Sequence, residues 1–398
     1  MKKISTSKLI VCHHVLVISM LVFFSNKAQG QKKVNEGIYN SYSTKTNIFN
    51  GITTINFKKN GSIFKIEYKG EIKVSDNDKD ILNISNKGYL ILVEYANSPS
   101  MTINHRVTIE SGRSDNKIIN YFSGSSRKDY YKEGRKWLAS VLPTIVRNTP
   151  LGMESRIAHF YKIGGANNVV SEIKNRIQDH HTKAIYLKEL LKYDCTPSEL
   201  VKIVETAGSE IKSSSGLAEF LKENQNSFLV NTETIIAYIK AAENIHSSSN
   251  LASVVVSMIA NSKISDQWLS NVTVLGKKIN SNSELGNIAK KLISNRELNN
   301  ENIETILILS KENQSNSGLV EVFKKMAKKA NLLSDYQLIK ILRTAPECIQ
   351  SSSNLSETLI AFSGKVKKSS EKVKEAYRES AKQINSSSNY ASAMKAIY

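Results

Sequence analysis

The chain holds hydroxyls, imidazoles, thiols and carboxylates, and their spacing decides what chemistry they can do. The densest hydroxyl clusters are six serine tags: Ser213-Ser214-Ser215-Gly216-Leu217, Ser247-Ser248-Ser249-Asn250-Leu251, Ser281-Asn282-Ser283-Glu284-Leu285, Ser315-Asn316-Ser317-Gly318-Leu319, Ser351-Ser352-Ser353-Asn354-Leu355 and Ser386-Ser387-Ser388-Asn389-Tyr390. A nucleophilic serine is exposed by a sharp Gly-x-Ser-x-Gly elbow, and none surrounds these or any other serine. The helical zinc motif His-Glu-x-x-His is absent. His180-His181 lacks an i, i+4 partner histidine and adjoins a helix cap, which makes the pair solvated or capping groups rather than zinc ligands. Asp76-Asn77-Asp78-Lys79-Asp80 opens like a calcium loop, but its sixth position is Ile81 rather than glycine and its twelfth is Lys87 rather than glutamate. A charged hairpin turn is expected there. Gly164-Gly165 is not followed by the Gly-Lys of a phosphate loop. Trp137, Tyr130 and Tyr131 are candidate binding aromatics, but Trp137 lies on an apolar helical stripe and is expected to pack. No catalytic, cofactor-binding or metal-binding residue is expected, and no cofactor.

The tags carry architecture instead. Steps between their first serines are 34, 34, 34, 36 and 35 residues. A fixed period in that range marks stacked supersecondary units, each unable to bury its apolar face alone. Each unit reads as helix, serine turn, helix. Before Ser213, Leu200, Ile203, Val204, Ala207 and Ile211 lie at helical spacing; Trp268, Leu269, Val272, Leu275 and Ile279 repeat the stripe, as do Leu338, Ile339, Leu342, Ala345 and Ile349. An isoleucine two residues before the tag recurs at positions 211, 245, 279, 349 and 384, with Asn313 as the exception. Going back 34 residues from Ile211 reaches Ile177 and then Asp179, the cap of an earlier, degenerate unit whose second helix carries Tyr186, Leu187, Leu190 and Leu191. The first tag serine is expected to be the N-cap, accepting from a free amide at the start of the second helix. Ser281 with Glu284, Thr196 with Glu199 and Ser334 with Gln337 fit reciprocal capping boxes, and Pro197 sits at the tolerated N1 position.

From Gly51 to Gly124 the period is two. Phe64, Ile66 and Tyr68 alternate with Lys65, Glu67 and Lys69, and short runs follow at 70–75, 81–85, 89–96, 101–111 and 117–122, separated by turn signals. This predicts an antiparallel meander with one wet face, its apolar face covered by helices. After Ser126 the stripe Trp137, Leu138, Val141, Leu142 predicts a helix ending near Pro143. A second helix is expected over 153–162, capped at its C-terminus by Gly164-Gly165.

Residues 1–30 read as a signal peptide. Lys2, Lys3 and Lys8 precede a short apolar core from Leu9 to Phe24, and Ala28-Gln29-Gly30 supplies small residues for cleavage before Gln31. An uncleaved anchor is the alternative. No other stretch is long and apolar enough for a membrane span. The formal charge of +19 falls to +15 once the four lysines of residues 1–30 are removed. The excess is scattered lysine. The densest basic stretch, Arg127 to Lys136, contains Asp129 and Glu133, and no zinc-finger or aromatic RNA-binding motif is present, so no nucleic-acid partner is expected. A weak attraction to anionic envelope surfaces fits this balance. Cys195 and Cys348 lie several units apart, and units touch only their neighbours, so core-filling thiols rather than a disulfide are expected.

The stretches Gly70-Glu71-Ile72-Lys73-Val74-Ser75, Asp80-Ile81-Leu82-Asn83-Ile84-Ser85 and Gly88-Tyr89-Leu90, with Gly134-Arg135-Lys136-Trp137-Leu138-Ala139, Pro143, Arg147, Arg156 and Gly164-Gly165, resemble an exported family of Bacteroidetes-type bacteria. That family has an N-terminal β domain and serine-started helical repeats, and similar segments occur beside antibiotic-sensing membrane metallopeptidase domains. The resemblance implies an envelope accessory or sensing module rather than an activity. These tags depart from the Ser-Asp-Tyr form of that family, and they also depart from the tetratricopeptide pattern.

The sequence thus predicts an α+β protein: signal peptide 1–30, antiparallel β domain 31–125, and a helical repeat domain 126–398. The last is expected to be an α-solenoid of about seven helix-turn-helix units, similar in size to HEAT or tetratricopeptide repeats. The expected role is a non-enzymatic interaction or scaffold module, exported to the periplasm or beyond, which binds an envelope protein through the array. The alternatives are an accessory sensory module for a membrane signalling protein and a hydrolase whose site assembles from dispersed residues.

Overall fold

Alternating apolar residues build one antiparallel sheet. The computed structural model describes residues 43–398 except 60, 97–100 and 113–115, so the expected signal peptide and parts of three expected turns lie outside the described residues. The strands are β1 (Ser43–Phe49), β2 (Ile52–Lys59), β3 (Ser62–Lys69), β4 (Ile72–Val74), β5 (Ile81–Ile84), β6 (Tyr89–Tyr95), β7 (Ile103–Ser111), β8 (Lys117–Ser123) and β9 (Ser126–Lys128). Seven of them form the sheet in the order β1-β2-β3-β6-β7-β8-β9, and β4 and β5 pair separately.

This corrects the meander in three places. The runs at 70–75 and 81–85 leave the sheet as a hairpin whose Ile72, Ile81 and Ile84 are buried beneath it. Gly70 and Gly88 permit the exit and return: Gly70 has φ +80°, and a Cβ on Gly88 would lie 2.6 Å from the Lys69 carbonyl oxygen. Strand β1 precedes the expected start. It is an edge strand whose Lys45, Asn47, Ile48 and Phe49 are all exposed, so it shows no apolar alternation. Strand β9 begins at Ser126 and runs to Lys128, into the stretch where helical periodicity was expected.

The apolar face of the sheet is covered by the helix Arg135–Asn148, whose Leu138, Leu142, Ile145 and Val146 share a core with Ile55, Ile66, Leu92 and Val107. This helix runs through Pro143 instead of ending there. Proline removes one hydrogen bond at a cost of roughly 3 kcal/mol. Full burial of Ile145 and Val146, each worth about 1.5–3 kcal/mol, offsets that cost. The next helical segment extends over Met153–Asn175 and breaks at Gly164 and Gly165, the latter with φ +62° and ψ −159°. The glycines interrupt the helix as expected, but the chain then restarts a helix rather than ending in a C-cap. Glu199 Oε1 accepts from the restarting Ala166 amide at 3.0 Å. Its other oxygen completes the capping box with Thr196. Those amide bonds, first that from Thr196, hold the Glu199 carboxyl below its usual range.

From Met153 onward helices alternate across short turns. The first helices are Met153–Asn175, Pro197–Glu210, Thr232–Ala242, Asn271–Gly276, Asn300–Glu312, Asp335–Cys348 and Glu371–Ala381. The second helices are His180–Leu190, Ser214–Glu223, Ser248–Ala260, Asn282–Asn295, Asn316–Ala327, Ser352–Val366 and Ser387–Lys395. Each first helix packs on the next first helix and each second helix on the next second helix. The isoleucines before the tags are buried, and so is Asn313, which satisfies its amide through the Asn282 carbonyl oxygen at 3.0 Å and the Ser315 amide at 2.9 Å. No helix among the described residues is long and apolar enough to cross a membrane.

Candidate functional site

The serine tags do structural work at each of their first two positions. The first-position hydroxyls of Ser213, Ser247, Ser281, Ser315, Ser351 and Ser386 accept from the amide three residues on, at 3.2–3.5 Å. Asp179 does the same for Thr182 at 2.7 Å. Thr196 and Ser334 form complete capping boxes, whereas Ser281 makes only the forward bond to Glu284. The second position bridges units: Ser214 Oγ accepts from the His246 amide at 3.2 Å, Ser248 Oγ from Asn280 at 3.0 Å, Asn282 Oδ1 from Gln314 at 2.9 Å and Asn316 Oδ1 from Gln350 at 2.8 Å. Ser and Asn share this position because each offers a short-reach acceptor. Ser247→Ala is expected to cost about 0.5–2 kcal/mol. Ser248→Ala, which removes one bridge, is expected to cost about 0.5–1.5 kcal/mol. Ser249→Ala, which removes only a contact to Ser247 Oγ, should cost least. Denaturant titration of the three variants checks the order, and equal costs would remove the distinction between the positions.

The other sequence candidates are dispersed. His180 and His181 are exposed in the first turn after the Asp179 cap. Cys195 and Cys348 are both free and half-buried, and burial pushes each thiol up to about 11, away from nucleophilic use. Trp137 is half-buried, packs at a tilt against His105 and Tyr121, and donates Nε1–H to Glu94 at 2.9 Å. Tyr130 is buried and Tyr131 is exposed. No cluster of three or more metal-ligating side chains occurs among the described residues.

Polar groups do converge at the junction of sheet and array. The Asp76–Asp80 segment is the turn of the β4–β5 hairpin, but it is not uniformly wet. Asp78, at φ +61°, is only 2% exposed. Its carboxylate pairs with the Arg156 guanidinium and lies 3.6 Å from Arg147 Nε; Arg156 also bonds Glu172 at 2.7 Å. Asp80 pairs with Arg135 at 2.8 Å. These bonds fasten the hairpin to both helices that follow the sheet. All three arginines, Arg135, Arg147 and Arg156, are among the residues that carry the resemblance noted in the sequence.

Beside this network lies a cleft of about 520 Å³, walled by Ile48 and Tyr68 of the sheet, Glu71 at the start of the hairpin, Glu154 and Glu189 of the helices, and Lys192 in the turn after His180–Leu190. Burial, then Glu189 and Glu71, raise the Glu154 carboxyl above its usual range, while Lys192 opposes the shift. Burial likewise pushes the Tyr68 phenol up to about 12. Lys192 is paired with Glu189 at 2.6 Å. No serine, cysteine or histidine lines this cleft. It sets the Glu154 carboxyl, raised by burial, against a charged rim of Glu71, Glu189 and Lys192. Sequence reasoning missed it because Glu71 and Glu154 are 83 positions apart and belong to different periodic patterns. Comparison with protein-family models, curated proteins and solved structures found no match.

Proposed function

We propose that this chain is an exported, non-enzymatic interaction module of the bacterial envelope, with its helical part forming a solenoid of about seven helix pairs that holds a protein partner along its length. The observation that carries this reading is the bridge from each of four successive tags to the unit after it. Bridged, like-on-like stacked helices make a long surface of fixed shape, which suits a large partner. Cross-unit ion pairs such as Lys188–Glu223, Lys278–Glu243 and Arg343–Glu379 line the same array. Being exposed, each contributes about 0–1 kcal/mol and tunes the surface more than it stabilises the fold. Apolar side chains left in water, Ile236, Val274 and Tyr336, provide anchor positions on the first helices and near their starts.

A photo-cross-linking residue placed at Ile236, Val274 or Tyr336 of the full chain, in envelope extracts of the native host, is expected to trap one protein partner. A residue placed at Lys65 on the sheet serves as the comparison. Capture from Lys65 alone would overturn the assignment to the array. The cleft at the junction favours a second reading, a hydrolase that uses Glu154. Turnover in a broad hydrolase screen that Glu154→Gln abolishes would move the protein into that class.

A further inference from the structure

We propose that the cleft between the sheet and the first helix pair binds a small organic cation, an ammonium group carried on an apolar body, at the carboxylates of Glu71 and Glu154. This inference rests neither on a partner of the array nor on turnover at Glu154.

The charge of the ligand follows from how the cleft's own side chains are paired. Three carboxylates, Glu71, Glu154 and Glu189, and two lysines, Lys188 and Lys192, line it. Both lysines are already engaged: Lys192 pairs with Glu189 at 2.6 Å, and Lys188 with Glu223 at 2.6 Å. Neither Glu71 nor Glu154 makes an ion pair among the described residues. Burial, then Glu189 and then Glu71, raise the Glu154 carboxyl, so the two unpaired carboxylates stand within each other's field. Their elements are also fastened together. Ser155 Oγ donates to the Ile72 carbonyl oxygen at 3.0 Å, and Glu154 and Glu71 are the residues immediately before these two. The Tyr68 hydroxyl donates to the Pro150 carbonyl oxygen at 3.4 Å along the same wall. An arriving cation thus meets two uncompensated carboxylates already in place.

The walls select the rest of the ligand. Ile48, 70% exposed, faces Thr53 on the side of the sheet turned to the helices, and Tyr68, Met153 and Ile185 continue the apolar lining. The volume of about 520 Å³ falls within the range of small-molecule sites, about 300–1,000 Å³. A hydrated metal ion needs several oxygen ligands, and no three ligating side chains cluster among the described residues. An anion is repelled by Glu71 and Glu154. A neutral apolar ligand takes water from both carboxylates and gives them no partner. An ammonium on an apolar body satisfies the carboxylates and the walls together.

Tryptamine is the probe, with tryptophol and indole-3-propionate as its neutral and anionic counterparts on the same ring. Calorimetric titration of the full chain is expected to show tryptamine binding about tenfold more tightly than tryptophol, with indole-3-propionate weakest. Glu71→Gln with Glu154→Gln should weaken tryptamine about tenfold, with circular dichroism and tryptophol binding unchanged. Glu205→Gln with Glu219→Gln, both exposed on the array, removes the same charge and should leave binding as it was. Equal loss in both double variants would reduce the effect to net charge and overturn the site. Tryptophol binding as tightly as tryptamine, or calcium displacing tryptamine at equal concentration, would overturn the choice of an organic cation. Nα-acetyl-lysine amide, titrated alongside, distinguishes the sources of the ammonium. Tighter binding than tryptamine assigns the site to a lysine side chain of a polypeptide, and weaker binding assigns it to a free amine. Binding of neither would overturn the proposal.

Discussion

Arg156→Met is expected to lower the stability of the chain by about 3–5 kcal/mol, the cost of breaking a buried ion pair from one side. Arg156 bonds both Asp78 and Glu172, and the side chains of the three are 11%, 3% and 9% exposed. Removal of the guanidinium strands two carboxylates away from water, with only Arg147, 3.6 Å from Asp78, to share the charge. Asp78→Asn alone should cost less, because Glu172 keeps its partner and an amide replaces the carboxylate isosterically. The combination Asp78→Asn, Glu172→Gln, Arg156→Met should recover part of the loss, since no uncompensated charge remains. Denaturant titration of all three variants checks the order. A cost below about 1 kcal/mol for Arg156→Met would mean that water reaches the network and that the hairpin is not fastened through it.

Arg296→Met is expected to cost about 2–4 kcal/mol. The unit between Ser248–Ala260 and Asn282–Asn295 has its first helix broken into Asp266–Leu269 and Asn271–Gly276. The last turn of Ser248–Ala260 and the loop after it leave carbonyls that no helix satisfies. Arg296 reaches back to three of them, Ile259, Asn261 and Ile264, at 3.0, 2.6 and 3.0 Å, from a side chain only 13% exposed. Asp266 lies 3.6 Å from the same guanidinium and also accepts from Asn299 and Asn302. Arg296→Lys should restore only part of the stability, because an ammonium lacks the planar fork that serves three acceptors at once. Stability measured by denaturation, with amide exchange read over 259–270, checks this. A full rescue by lysine would show that charge alone matters at this position.

These two arginines mark where the sequence was illegible. Nothing in the neighbourhood of Arg156 announces Asp78, which sits 78 positions away in what reads as a wet turn. Arg296 looks like an ordinary basic residue after a helix, since its acceptors are backbone carbonyls, which every residue has. The same limit applies to the β4–β5 hairpin: its apolar alternation predicted strands correctly, but alternation does not say which strand pairs with which. Strand β1 was missed because an exposed edge carries no apolar period. Pro143 was overvalued as a stop because the burial of Ile145 and Val146 after it is a tertiary quantity.

What the sequence determined by itself is the local and the periodic. The tag spacing, the isoleucines before each tag and the first-serine caps were legible because capping and helical burial act within a few residues, and repetition states the same instruction many times. The α+β division followed from a change of period near Ser126. Tertiary structure alone decided the long-range polar contacts: the Asp78–Arg156–Glu172 network and the hold of Arg296 on three backbone carbonyls. Each joins residues whose separation in sequence has no fixed relation to their separation in space, and a polar side chain reads alike whether it meets water or a partner. Burial, which only the packed chain has, distinguishes the two.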